Sequence, residues 1–387
     1  MPRGKRTLGL LLPFVLLMAA PSASAARSVP QGFYGVVYSG NVELLSPQSQ
    51  AKLWDRLAAG GAETARVVFN WELTQSAKGG PYYWNRIDQL VIEATKRRMT
   101  ILPILKYAPR WAKRYPTKMQ SPPKDPAQFA AFARAVVARY GPGPTASFWL
   151  QHPELPRRPI RQFQVWDEPE ISFHWWREPR GRKWGASDAR DYVRLLRATY
   201  KAIHSADSGA KVITAALSID SWKNLEKIYT WAPDFKGSFD VAALQGYSGT
   251  ADFVPTILRR FRAVLNRHGD SNIPMEVTEM TWPAAKGKSH PHYTTGYMSG
   301  FLTDQQGAAK RLTKAYKLLR GIRNEVKLNA VVWYTGVSAY ATSNEFEYSG
   351  LLTFKNDLVR QFPVYSAYRK SAQAAEGCIK TTLGLCQ

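Results

Sequence analysis

The chain has 387 residues, 53 Lys and Arg against 29 Asp and Glu, a formal net charge of +24, and only two cysteines. Such a charge favours anionic partners, acidic polysaccharide or a charged envelope among them, or else a solvated basic surface; no nucleic-acid motif accompanies it, so nucleic acid is not an expected partner. The 13 Trp and 19 Tyr suit sugar stacking as well as they suit a large core.

The chain opens on a basic start (Arg3, Lys5, Arg6), an apolar run from Leu8 to Ala20 and small residues Ala23–Ala25. This pattern predicts a secretory signal cleaved after Ala25, because the run is short of the ~20 residues a membrane span needs. Cleavage leaves 362 residues carrying +21, with no further stretch long enough to cross a bilayer. The expected product is exported and monomeric.

Beyond the signal, short apolar runs alternate with segments of helical period, the pattern of repeated βα units around a parallel sheet. Strands are predicted at 32–38, 65–69, 100–105, 160–166, 211–217, 239–244, 274–279 and 329–334. The first helix is announced by Ser46 as a cap and Pro47 in the first turn. It carries Leu53, Trp54, Leu57 and Ala58 on one face, and Gly60-Gly61 stops it. Ser187 is the expected cap of a segment in which Tyr192, Leu195, Leu196, Thr199, Ala202 and Ile203 recur at helical spacing. Similar patterns fill about 84–98, 126–140, 221–231, 254–268, 303–324 and 363–375. No linker separates two domains, so the expectation is one α/β domain, a (β/α)8 TIM barrel over 26–377 with long βα loops. Cys378 and Cys386 in the tail are expected to close a disulfide that contributes at most roughly 2–3 kcal/mol.

In such barrels chemistry sits at the C-terminal ends of the strands. Glu168 follows the fourth strand in "VWDEPE", and Glu279 ends the seventh in "PMEVTEMTWP", beside Trp166 and Trp282 respectively. Glycoside hydrolysis needs two carboxyl groups of this kind, one to protonate the leaving oxygen and one to attack or to activate water. Trp71, Trp111, Trp175, Trp176 and Trp184 lie in loops after strands two to four as candidate sugar platforms. Glu170 reads as a loop acid balancing Arg177.

Together, "RVVFNW", "ILPILKYAPRWA", "VWDEPE", "FDVAALQGY", "EVTEMTW" and "VVWYT" resemble a clan of retaining glycoside hydrolases, in particular its secreted bacterial cellulase-like and β-xylosidase-like members. That clan carries a W-N-E-P acid/base motif on strand four and a T-E-x-G-W nucleophile motif on strand seven. The resemblance implies that Glu168 is the general acid/base and Glu279 the nucleophile. It likewise implies that Arg66 supports the nucleophile, that Tyr247 hydrogen-bonds it, and that Trp333 forms a sugar platform. No cofactor is needed for this chemistry.

Two positions depart from the clan's pattern. Asp167 stands where an asparagine is expected, and Gln245 where a histidine is expected. A carboxylate only accepts hydrogen bonds, so either the sugar's 2-hydroxyl donates to Asp167 or C2 carries a different group such as a free amine, against which the chain's own positive charge argues. The departures also leave open a catalytically lapsed carbohydrate-binding or envelope-associated barrel, while a transglycosylase of exopolysaccharide assembly would share every residue and differ only in whether water or sugar accepts. His290 and His292 in "GKSHPHY" form a possible metal pair, though a basic loop favours solvent exposure, and no metal is expected.

Overall fold

The structure is a computed structural model. It describes residue 1, residues 27–376 other than 39–41, 43–44, 289–295, 339–343 and 357, and the backbone of 381–382 and 385–386. The expected signal, the His290–His292 pair and the Cys378–Cys386 disulfide lie outside the described residues and side chains.

Every predicted strand forms: β1 (Tyr34–Val37), β2 (Thr64–Asn70), β3 (Thr100–Lys106), β4 (Gln162–Val165), β5 (Lys211–Ile213), β6 (Ala242–Gln245), β7 (Met275–Met280) and β8 (Leu328–Trp333). All pairs are parallel, in the order β5-β4-β3-β2-β1-β8-β7-β6. The seam between β5 and β6 is closed by two parallel bridges, Ile213 with Val241 and Leu217 with Leu244, so the sheet is a barrel. The expected fifth strand ran on to Leu217, but β5 ends at Ile213 and only the Leu217 bridge carries the pairing further.

The helices are α1 (Pro47–Ala59), α2 (Trp71–Thr74), α3 (Asn85–Lys96), α4 (Pro126–Tyr140), α5 (Ser147–Gln151), α6 (Ala186–Ala206), α7 (Ser221–Trp231), α8 (Val254–Arg267), α9 (Gln305–Val326) and α10 (Pro363–Glu376). Ser46 caps α1 as expected, its hydroxyl accepting from the Ser49 N–H. Ser187 does not cap α6. The chain enters that helix at Gly185, whose N–H donates to the Asp188 carboxylate at 3.0 Å, leaving Ser187 inside the first turn. The short helices α2 and α5 and a hairpin, Leu352–Lys355 with Leu358–Gln361, were not expected; each is too brief to carry a period. No described helix is long and apolar enough to cross a membrane.

Strand alternation sorts side chains between two compartments. Ala65, Val67 and Phe69 of β2, Phe163 and Val165 of β4, and Met275 and Val277 of β7 face the helices in the main core. Their neighbours face the barrel interior, where a small apolar cluster (Leu102, Ile213, Ala216, Val241, Ala243) is joined by polar Arg66, Gln164, Glu276 and Thr278. Gly35 fits this interior because a Cβ there would meet Val332 Cγ2 at 2.8 Å.

Glu276 is 1% exposed, one carboxylate oxygen finds no hydrogen-bond partner, and burial pushes its carboxyl up from 4.5 to about 7. It lines a cavity of about 360 Å³ at the end of the barrel remote from Glu279. A carboxyl whose pKa is raised on folding lowers stability as pH climbs from its ordinary value through its folded one, here at a cost on the order of 3 kcal/mol. Glu276→Gln is therefore expected to raise the melting temperature at pH 8 and not at pH 4.5; an equal shift at both would contradict this.

Candidate active site

Arg66 is the hub of the C-terminal mouth. Its inward position on β2 follows from the alternation, and at 1% exposure it spends its fork on three acceptors. Nε donates to Gln164 Oε1 at 2.8 Å, one terminal nitrogen to Glu279 Oε1 at 2.5 Å, and the other to Asp167 Oδ1 at 2.9 Å. The second Glu279 oxygen accepts from the Tyr247 hydroxyl. Arg66 and Tyr247 thus contact Glu279 together, and both donate to it.

Glu168 follows β4 in a strained turn: Trp166 has φ 66° and Glu168 φ 42°, left-handed values that non-glycine residues rarely adopt. Neighbouring strand ends hold the turn, with the Trp166 N–H on Leu105 O at 3.0 Å and the Glu168 N–H on Ala216 O at 3.1 Å. The carboxylate stands 2.9 Å, Oε2 to Nε2, from His174, and His174 Nδ1 lies 3.0 Å from Lys106 Nζ. Neither Lys106 nor His174 was singled out in the sequence.

Burial raises the Glu279 carboxyl from 4.5 to about 7; Arg66 opposes this, while the charges of Asp167 and Glu168 add to it and the Tyr247 hydrogen bond opposes it. Glu168 and Glu279 are therefore close enough for their charges to interact. Because both Glu279 oxygens accept bonds, the anion is satisfied at that position, and Tyr247 is held far above its ordinary range by burial and by Glu279.

The structure revises several expectations. Arg177 donates to the backbone carbonyls of Pro169 and Glu170 rather than to the Glu170 carboxylate, which accepts instead from the Ser218 N–H at 2.6 Å. Burial and the Glu168 charge push Glu170 up to about 8. Asp167 is hydrogen-bonded through one oxygen only. Oδ1 is taken by Arg66, Gln245 Nε2 lies 3.4 Å from it, and Oδ2 faces Lys106 at 3.9 Å. Gln245 is buried, bonded also by the Thr278 hydroxyl, and acts on Asp167 rather than in the open mouth.

Trp71, Trp282 and Trp333 are each fully buried and so are not open platforms. Their indole N–H groups are consumed by Gln75 Oε1, Ser248 O and Ser349 O, and Trp71 stacks on Phe132. Trp175 is also buried, whereas Trp111, Trp176 and Trp184 stay partly exposed. Tyr334, one residue past Trp333, is partly exposed and feels the charges of both Glu279 and Glu168, making it the strand-eight aromatic nearest the glutamates' field.

Asp167, Glu168 and His174 bring potential metal-ligand atoms within 4.8 Å of one another. The Lys106 ammonium already sits against two of them, and a fixed positive charge there opposes a divalent ion, so the donor set does not fit a resident metal.

No protein-family model matches the chain, and no curated protein matches it. Its fold is similar to solved structures of glycoside hydrolases. A family 39 glycoside hydrolase from the gut symbiont Bacteroides cellulosilyticus WH2 aligns with TM-score 0.63 at 18% identity over 89% of this chain and 64% of its own. The GH39 enzyme from Xanthomonas axonopodis pv. citri aligns with TM-score 0.62 at 17% identity over 89% and 66%. A glucosidase from Croceicoccus marinus aligns with TM-score 0.63 at 12% identity over 91% and 69%. The chain spans slightly less than two thirds of the length of the first two. The likeness is one of fold, the TIM barrel.

Proposed function

We propose that the chain is an exported O-glycosyl hydrolase that cleaves a carbohydrate with retention, using Glu279 as nucleophile and Glu168 as acid/base. One observation carries the reading. Two buried carboxyl groups from β7 and the end of β4 share the barrel mouth, and Arg66 and Tyr247 both donate to one of them. Both donors favour the anion that a nucleophile must be, against the burial that raises this carboxyl to about 7.

Glu279 attacks the anomeric carbon while Glu168 passes its proton to the departing glycosidic oxygen, giving a glycosyl ester on Glu279 and a free alcohol. Water then attacks the same carbon, Glu168 takes its proton, and the ester bond breaks to restore the Glu279 carboxylate. Arg66 and Tyr247 hold the carboxylate in place in the ground state and take it back when the ester is cleaved. The fold of the glycosidase neighbours supports a carbohydrate substrate, and the charge of +21 on the chain without residues 1–25 supports an acidic polymer or envelope glycan.

A screen of labelled glycans against the chain without residues 1–25, followed by trapping with a deoxyfluoro glycoside of the sugar turned over, tests this. The expected adduct is on the peptide containing Glu279. Turnover with the label on another residue overturns the assignment.

A further inference from the structure

We infer that Lys106 and His174 are positioning residues for Glu168: Lys106 fixes His174 as the Nε2–H tautomer, and His174 turns the acidic proton of Glu168 onto Oε1. The part concerning the proton of Glu168 rests on the glycosidase reading above; the tautomer rests on geometry alone.

Lys106 ends β3 and is 3% exposed, its Nζ 3.0 Å from His174 Nδ1 and 3.9 Å from Asp167 Oδ2. An ammonium facing a carboxylate has three protons and no lone pair, so it can only donate. Nδ1 must then be the acceptor, and the single imidazole proton resides on Nε2. Nε2 stands 2.9 Å from Glu168 Oε2 and donates to it. The loop that carries the ring is anchored at its backbone, and one neighbouring ring packs beside it. Trp166 Nε1 donates to the His174 carbonyl at 2.8 Å, and the Phe173 ring meets the imidazole edge-on at 5.1 Å.

With Oε2 accepting from a fixed N–H, the proton of the neutral acid has only Oε1 to occupy. When that proton leaves with the glycosidic oxygen, the N–H remains bonded and holds the new carboxylate where a water must later be deprotonated. Lys106 acts one bond further back. Its charge also adds to that of Arg66 beside Asp167, so it contributes to the charge balance next to the acid.

Histidine-labelled nitrogen NMR of the chain without residues 1–25, with the His174 signals assigned by their loss in His174→Gln, reads the tautomer directly and needs no substrate. The expected wild-type spectrum at pH 7 is Nε2–H with a bare Nδ1, and Lys106→Met gives a mixture with Nδ1–H. A wild-type Nδ1–H or doubly protonated ring, or a Lys106→Met spectrum identical to wild type, overturns the inference.

A kinetic arm uses phenyl and dinitrophenyl β-glycosides of whichever sugar in a glucose, xylose and mannose panel the wild type hydrolyses. Because the dinitrophenyl group departs without a proton, Lys106→Met and His174→Phe should lose at least roughly tenfold more kcat/KM on the phenyl substrate. Equal losses on both substrates overturn the positioning role. If neither this panel nor the glycan screen above yields a cleaved sugar, the glycosidase reading fails while the spectrum still decides the tautomer.

Discussion

Glu279→Ala is expected to lower turnover of the cleaved glycan by roughly 10⁴-fold or more, and Glu168→Gln by roughly 10²–10⁴-fold on substrates with a poor leaving group. Without Glu279 no covalent intermediate can form, and without a proton on Glu168 the leaving oxygen departs as an alkoxide. Both chains should remain folded by circular dichroism, because Arg66 retains Gln164 and Asp167 when Glu279 is removed, and the Glu168 turn is held by backbone bonds. Turnover within tenfold of wild type in either variant would remove the carboxyl pair as the source of the chemistry.

Arg66→Met is expected to produce the largest loss of stability of any single change at the mouth. The guanidinium holds Asp167 and Glu279 together, and removing one partner of a buried ion pair leaves uncompensated charge costing roughly 3–5 kcal/mol. The cost depends on pH in a definite direction. With Arg66 present, the Glu279 carboxyl already rests at about 7, raised first by burial; without its counter-ion it rises further. The wild type and the variant therefore differ most above that value. The gap shrinks as pH falls through about 7 and Glu279 becomes neutral in both. Urea unfolding at pH 8 and pH 5 checks this, and a gap of constant size would mean that lost packing, not charge, dominates.

The barrel was legible because its evidence is periodic. Alternation in β2, β4 and β7 and capping at Ser46 each announce themselves over several residues, and the strand-end rule brings Glu168 and Glu279 to one mouth. The contacts of Arg66 and Tyr247 came from the clan resemblance rather than from spacing. Lys106 leaves no such mark, because the apolar run of β3 ends at Leu105, one residue before the strand does. His174 lies 68 positions away on a loop without period, so nothing local announces their contact. The aromatics failed in a different way. A tryptophan after a strand is equally able to face a sugar or to roll inward, and what decides is whether its N–H finds a partner. Ser248 O and Ser349 O supply those partners from loops whose course no pattern predicts.

The three-pronged grip of Arg66 also constrains how this mouth can change over generations. Asparagine at 167 in place of the aspartate would strand Lys106 beside Arg66 with one anion fewer, while loss of Lys106 alone would leave Asp167 with half its counter-charge. Each step is costly by itself, and the two together restore neutrality. Positions 106 and 167 should therefore show epistasis, with the double exchange fitter than either single one.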